Sequence, residues 1–263
     1  MIRLVALDID GTIVHGRRPP SPAVLDAIAL AGSRAQVMLC TGRTVVGVAG
    51  ALDAIGLRDG VTLTSNGAVE METASRRVLG MERLAPEAVT AAVEAMSGLF
   101  PGAVFACEHV GVGQRVSAPF PDGVLAGTVT EVGREGLLDE PTPKLVMYWP
   151  DHDPAETAAR AARLRVPGTE PTLDHELPWV TLVSAGVSKA SGLARVAARL
   201  GVDRSEVLAV GDGDGDNDRA MLRWAGRGIA MGQAPPQVHA DADESTATVA
   251  EDGLARALER VFG

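Results

Sequence analysis

The sequence predicts an α/β protein, a doubly wound parallel sheet carrying an inserted α/β unit. Three observations predict it. Apolar runs of strand length alternate with helical periodicities up to Ala68, the pattern of a parallel sheet with right-handed crossovers. Apolar residues make up 46% of the chain but aromatics only 3%, and a mass of Ala, Val and Leu suits helices packed on a buried parallel sheet. The rhythm changes near Met81 and returns after Trp179, as an insertion requires.

Residues 2–9 read as a continuous buried strand. The stretch SPAVLDAIALAG follows as a helix, with Ser21 as N-cap, Pro22 at the first helical position and Gly32 as its stop. AQVMLCTGR is a second buried strand ending in a polar turn, TVVGVAGALDAIGL a glycine-interrupted helix, and GVTLTSNGA a third strand ending at Asn66-Gly67. The middle third contains a helix APEAVTAAVEAMSGL, strand-like pieces near 103–118 and 124–132, a strand PKLVMYW and a helix DPAETAARAARL. Beyond WVTLVSAG come a helix over 189–200, the strand EVLAV, an aspartate-rich loop, a helix over 217–225, the strand GIAM and a last helix EDGLARALERVF. The division expected is a core of residues 1–82 and 183–263 with residues 83–182 inserted.

A formal charge of −10 argues against nucleic acid or an anionic membrane as the main partner, since both demand a basic surface. No run approaches the ~18–20 uncharged residues of a membrane span, and Asp8 breaks the first apolar run before it could serve as a signal peptide. A cytoplasmic location is the expectation. The two cysteines, Cys40 and Cys107, form no disulfide framework, and Cys40 reads as a small buried hydrophobe.

Ligands of parallel α/β sheets bind at the carboxyl ends of the strands. Four such ends carry polar residues here: Asp8 and Asp10, Thr41-Gly42-Arg43, Ser65-Asn66-Gly67, and the cluster GDGDGDND at 211–218. Any one of them alone reads as a turn or a helix cap. Four together, with Lys189 opening a helix shortly before the cluster, point to one pocket.

These residues resemble the motifs of the haloacid dehalogenase-like phosphatases. DIDGT at 8–12, Thr41 after an apolar strand, Lys189 in GVSKASGL and the Gly-Asp to Asn-Asp run at 211–218 stand in the family's order. The insertion lies between the second and third motifs, as in the Cof-like sugar-phosphatase branch with a large α/β cap, and TSNGA and EDGLARAL are also similar to that branch. The resemblance implies a magnesium-dependent phosphomonoester hydrolase acting on a small phosphorylated metabolite, with a sugar phosphate as the family expectation.

Within that resemblance, Asp8 attacks phosphorus to form an aspartyl-phosphate and Asp10 exchanges a proton with the leaving group and then with water. Gly11 permits a sharp turn. Thr41, Gly42, Arg43, Asn66, Lys189 and Asn217 meet the phosphate or the substrate. Magnesium would take carboxylate oxygens from Asp8, the later cluster and Asp218, with the Asp10 carbonyl. Counting from the strand EVLAV selects Asp212 as the cluster's ligand, and counting back from Asn217-Asp218 selects Asp214. A strand end fixes geometry while a loop absorbs an insertion, which favours Asp212, with Asp214 the alternative. Asn217 could instead orient Lys189, and Asp216 reads as a solvated loop residue. Members of the family often carry a glutamate where this chain has Thr181.

Rival chemistries fit less well. A calcium loop starting at Asp212 has Asn217 where glycine is required and Arg223 where glutamate is required. A dinucleotide fingerprint fails because Asp216 occupies its third glycine. A phosphoacceptor signalling domain lacks the acid/base Asp10 and needs half this length, and a sugar phosphomutase shares the fold with a different acceptor. Arg43 suits either substrate or an ion pair. His15 reads as solvated, and His109, His152 and His175 lack metal-ligand spacing. Lys144 reads as an exposed lysine blunting a strand edge, with a cleft-facing orientation as the alternative. Trp149 and Trp179 read as packing residues.

Overall fold

The computed structural model describes residues 1–16, 18–174, 176–213 and 217–263. In chain order its first elements are β1 (Leu4–Leu7), α1 (Pro22–Gly32), β2 (Gln36–Leu39), α2 (Ala49–Ile55), β3 (Val61–Thr64), β4 (Val69–Glu72), β5 (Val78–Met81) and α3 (Pro86–Leu99). Next come β6 (Val104–His109), β7 (Gly113–Val116), β8 (Thr128–Glu131), α4 (Gly133–Gly136), β9 (Leu145–Tyr148), α5 (Pro154–Ala161), β10 (Thr169–Leu173) and β11 (Trp179–Ser184). The chain closes with α6 (Lys189–Leu200), β12 (Val207–Gly211), α7 (Arg219–Trp224), β13 (Arg227–Ala230), α8 (Pro236–Asp241), β14 (Glu244–Ser245) and α9 (Gly253–Phe262).

A parallel five-stranded sheet in the order β14-β13-β12-β1-β2 forms the base. Every residue of β1 is buried. Val5 and Leu7 pack against Val24 and Ile28 of α1 and Leu254 and Leu258 of α9, whereas Leu4 and Ala6 pack against Leu193 and Val196 of α6 and Met221 of α7. Burying such side chains contributes roughly 1.5–3 kcal/mol each, and β1 does so on both faces. The doubly wound arrangement is the one the sequence predicts.

β3 extends this sheet only through a parallel bridge between Cys40 and Leu63. It then turns away into an antiparallel ribbon with β4 and β5, a hairpin that sequence patterning does not foresee. Its strands are four residues each, and β5 is half exposed, so the apolar alternation is too short to read.

The middle of the chain builds a second sheet in the order β10-β11-β9-β6-β7-β8, antiparallel except for β7 with β8. Alternation sends Phe105, Cys107, Leu145, Met147, Val180 and Leu182 to one face, where they meet Val89, Ala92 and Met96 of α3 and the Phe100–Trp149 pair. The opposite face carries Ala106, Val116 and Val146, with Gln114, Glu108 and Lys144 in the adjoining row. That second face lies over the carboxyl ends of β1, β2 and β12. Cys40 and Cys107 are free and buried, and burial pushes the Cys107 thiol up to about 12. Among the described residues, no helix is long and apolar enough to cross a membrane.

Gly67, in the turn between β3 and β4, lies against the start of α6 with φ +87°, and a Cβ there would stand 2.3 Å from the Ser188 carbonyl oxygen. Gly67→Ala is therefore expected to cost at least ~1–3 kcal/mol of stability. Gly98→Ala, inside α3 with nothing within 4 Å of the added carbon, is expected to gain ~0.5–1 kcal/mol. Calorimetric melting of both variants checks the contrast, and equal Tm values would refute it.

Candidate active site

β1 and β12 are neighbours in register, Leu7 beside Val210, so the residues just past their ends emerge together. Asp8 still belongs to the ladder, its backbone N–H donating to Val210 O at 3.0 Å. The chain then turns tightly: Gly11 N donates to Val14 O at 2.8 Å and Ile13 N to Ile9 O at 2.8 Å. Gly11 has φ +75°, and a Cβ at this position would fall 1.7 Å from Asp212 Oδ2. The absence of a side chain at position 11 is what lets Asp212 approach Asp8.

Asp8, Asp212 and Asp218 each bring one carboxylate oxygen into a group whose atoms lie within 4.8 Å of one another, all three buried. Lys189, at the first turn of α6 behind a Ser188 capping box, donates to Asp8 Oδ1 and Asp218 Oδ1 at 2.6 Å each. Burial first, and then the neighbouring Asp218, push Asp8 well above the ordinary carboxylate range, with Lys189 opposing. Burial alone would depress Lys189, but Asp218 and Asp8 outweigh it and hold the ammonium charged. Asp218 is fixed further by Gly213 N, which donates to its Oδ2 at 3.0 Å.

Three carboxylates gather around one ammonium in a buried place, and crowding like charges there is costly unless cations offset them. All the converging donors are oxygens, with neither thiolate nor imidazole among them. That donor set fits a hard divalent cation such as magnesium or calcium, not a soft metal. Among the described residues of the aspartate-rich run, Asp212 and Asp218 join the group. Asp214 and Asp216 lie outside the described residues, as does His175.

Asp10 keeps its carboxylate out of this group. It points outward and receives a two-pronged contact from Arg43, Nε to Oδ2 at 2.9 Å and Nη2 to Oδ1 at 2.5 Å. That hydrogen bond, followed by the charge of Asp10, raises Arg43 against the opposing effect of burial. Thr41 is buried and its Oγ1 accepts from Arg43 N at 3.1 Å, while Gly42 and Arg43 line the open wall. Asn217 donates to Asn66 Oδ1 at 3.2 Å and not toward Lys189, whose two short bonds go to aspartates. Asn66 in turn donates to Thr172 Oγ1 of β10 at 3.3 Å.

Above these residues opens a cavity of about 850 Å³, floored by Asp8, Asp10, Gly11, Asn66 and Asp212 and roofed by the second sheet. Gln114, Lys144, Thr172, Thr181 and Trp179 line its roof. The expectation of an exposed Lys144 at a strand edge is corrected: it stands at the start of β9, a central strand, is 7% exposed, and donates to Gly42 O at 2.8 Å. Burial lowers Lys144 and Glu108 opposes that effect. Trp179 meets Tyr148 and Phe120 edge to face, donates to Thr181 Oγ1 at 3.0 Å and walls the cavity, whereas Trp149 is a core residue. His15 is exposed at the mouth, His109 contacts Glu140, and His152 stacks on Trp149.

Sequence reasoning misses Gln233, Gln114, Thr172 and Glu108. Gln233 donates to Gly11 O at 2.5 Å and to Asp212 Oδ2 at 3.4 Å, and it accepts from Val249 N at 3.0 Å. The strand-end rule reaches it, because it lies in the loop just beyond β13, the strand next to β12. The other three belong to the second sheet, where alternation gives faces but nothing in the sequence says which face meets the core.

A family model of haloacid dehalogenase-like hydrolases matches residues 5–116 and 137–258. The phosphoglycolate phosphatase of Natronomonas pharaonis is 29% identical over 262 residues, covering 99% of this chain and 98% of its own. The solved structure of BT1666 from Bacteroides thetaiotaomicron, described among phosphatases of the haloalkanoate (HAD) superfamily, is 27% identical with a TM-score of 0.81, covering 99% of this chain and 95% of that one. That of the subclass IIB sugar phosphatase BT4131 shares the fold at a TM-score of 0.82 and 21% identity, over 98% of both chains. With a family match along most of its length and four strand ends converging on one acidic cavity, the chain belongs to the haloacid dehalogenase-like hydrolases and is a phosphatase of that family.

Proposed function

We propose that this phosphatase cleaves small phosphate monoesters through an aspartyl-phosphate on Asp8, with magnesium as its divalent cation. The observation that carries the reading is the buried group of Asp8, Asp212 and Asp218 around Lys189, opening on a cavity of small-molecule size. Asp8, Asp212 and Asp218, with the Asp10 carbonyl, are the residues that would hold the cation. Bound there, it supplies the positive charge that lets a dianionic ester approach a carboxylate.

A carboxylate oxygen of Asp8 bonds to phosphorus as the ester P–O bond breaks, and the departing alkoxide takes a proton from Asp10. Water then attacks the phosphoryl group, Asp10 accepts its proton, inorganic phosphate leaves and the Asp8 carboxylate returns. Lys189 keeps Asp8 oriented and opposes the upward push of burial and Asp218 on its carboxyl, and a bound cation would favour the ionised form that attacks. Arg43 engages both carboxylate oxygens of Asp10 in the resting site, so Asp10 must trade that contact for the leaving-group oxygen before it can act as an acid. The released guanidinium then has the fork geometry to hold two phosphate oxygens. Residues 83–182 act as the cap, and the roof side chains choose the leaving group.

Gln114, Lys144, Thr172 and Thr181 offer donors and acceptors suited to the hydroxyl groups of a sugar phosphate. The buried ammonium of Lys144 supports a second reading, a leaving group bearing a carboxylate, such as the glycolate in the name of the Natronomonas pharaonis relative. Turnover of a panel of sugar phosphates and phosphorylated hydroxy acids with magnesium separates the two.

Asp8→Asn is expected to abolish turnover, by at least ~10⁴-fold, while leaving the melting temperature within a few degrees; phosphate release at the normal rate would remove Asp8 from its role. Asp212→Ala is expected to raise the magnesium concentration for half-maximal activity at least tenfold, and chelation by EDTA to silence the wild-type protein reversibly. A magnesium titration of activity reads both effects, and an unchanged response would place the cation elsewhere.

A further inference from the structure

We propose that Glu108 is a positioning residue of this phosphatase: reaching out of the second sheet, it fixes the two core loops that present Thr41, Arg43 and Asn66 to the phosphate. The inference rests on the phosphatase reading above. Glu108 lies in β6 and is 1% exposed, too enclosed to meet a substrate. Its Oε1 accepts from Val45 N at 3.0 Å, and its Oε2 accepts from the Ser65 hydroxyl. The two donors belong to different loops, one just beyond Thr41-Gly42-Arg43 and the other just before Asn66.

Those loops are already laced together, Ser65 N donating to Arg43 O at 2.8 Å and Asn66 N to Thr41 O at 3.1 Å. Ser65 and Asn66 nevertheless sit at φ +51° and +58°, left-handed backbone without a glycine. Such conformations persist where the surroundings over-determine them, and they gather at functional sites. The Glu108 carboxylate is the clamp placed on the first of the pair. In the same row of the sheet, Lys144 grips Gly42 O from the other side. Burial lowers Lys144, and the neighbouring charge of Glu108 opposes that lowering. A buried carboxylate committed to neutral donors of another structural unit is weak evidence for stability. It is better explained as a device for geometry: Asn66 carries the strained turn onward to Asn217 and Thr172 at the cavity.

The test compares wild type, Glu108→Ala, Glu108→Gln, Ser65→Ala and the Glu108→Ala/Ser65→Ala double variant on two esters with unlike leaving groups, alongside binding of inorganic phosphate. Glu108→Ala is expected to lower kcat at least tenfold, by the same factor on both esters, and to weaken phosphate binding. Glu108→Gln keeps a carbonyl acceptor for Val45 and is expected to recover most of the loss. Ser65→Ala should lower kcat several-fold alone yet add almost nothing in the Glu108→Ala background, the non-additivity of groups acting through one contact. A drop in Tm with unchanged kcat, additive losses, or a loss confined to KM on one ester overturns the proposal. If Glu108→Ala does not fold, the kcat of Ser65→Ala on both esters decides, and a wild-type value overturns it. A wild-type protein that hydrolyses no ester and binds no phosphate sinks the phosphatase reading itself, whereas an active wild type with an equally active Glu108→Ala sinks only this inference.

Discussion

The close approach of Asp8, Asp212 and Asp218 around Lys189 sets the terms for the rest of the structure. Like charges at such separations repel, and burial amplifies the repulsion because little water remains to screen it. The arrangement holds because each carboxylate is tied to an element that cannot easily move. Asp8 is part of the central ladder, Asp218 is bonded by Lys189 and Gly213, and Asp212 leaves the strand beside β1. A sheet with both faces packed is the support that tolerates this concentration of charge. The same crowding makes Gly11 a structural requirement, since its missing side chain is the space Asp212 occupies.

The second sheet is organised around the difference between its faces. One is apolar and covered by α3 and α5, and it supplies that unit with its own core. The other carries Gln114, Glu108, Lys144, Thr181 and Thr172 over the carboxyl ends of the parallel strands. Glu108 and Lys144 spend their polar atoms on the base of the cavity, while Gln114 Oε1 has no hydrogen-bond partner among the described residues. The roof therefore combines side chains already committed to the floor with one whose hydrogen bonding is incomplete. Such a division suits a site that handles one constant chemical group and varies the rest.

Much of this was legible in the residues. β1, β2 and β12 announce themselves as apolar runs, and the polar residues at their ends stand where parallel-sheet geometry makes them converge. The choice between Asp212 and Asp214 is open by counting; Asp212 follows the last β12 residue by one position and joins the acidic group, while Asp214 lies outside the described residues. What the sequence conceals has a common cause. The β4–β5 hairpin is too short to show its period, and the contacts of Lys144 and Glu108 depend on how one unit is set on another, a relation no local pattern encodes. Arg43 is an intermediate case: its type and place suggest either a substrate or a carboxylate, and only the fold brings Asp10 within its reach.

The pairing of β1 with β12 has a bearing on how the chain is made. Asp8 is synthesised well before its Lys189 partner, which lies 181 positions further on. Until the last third of the polypeptide has been synthesised, one side of the innermost strand lacks its neighbour and the acidic edge lacks its ammonium. An unpaired strand edge of that kind is open to wrong pairings while the chain is still incomplete.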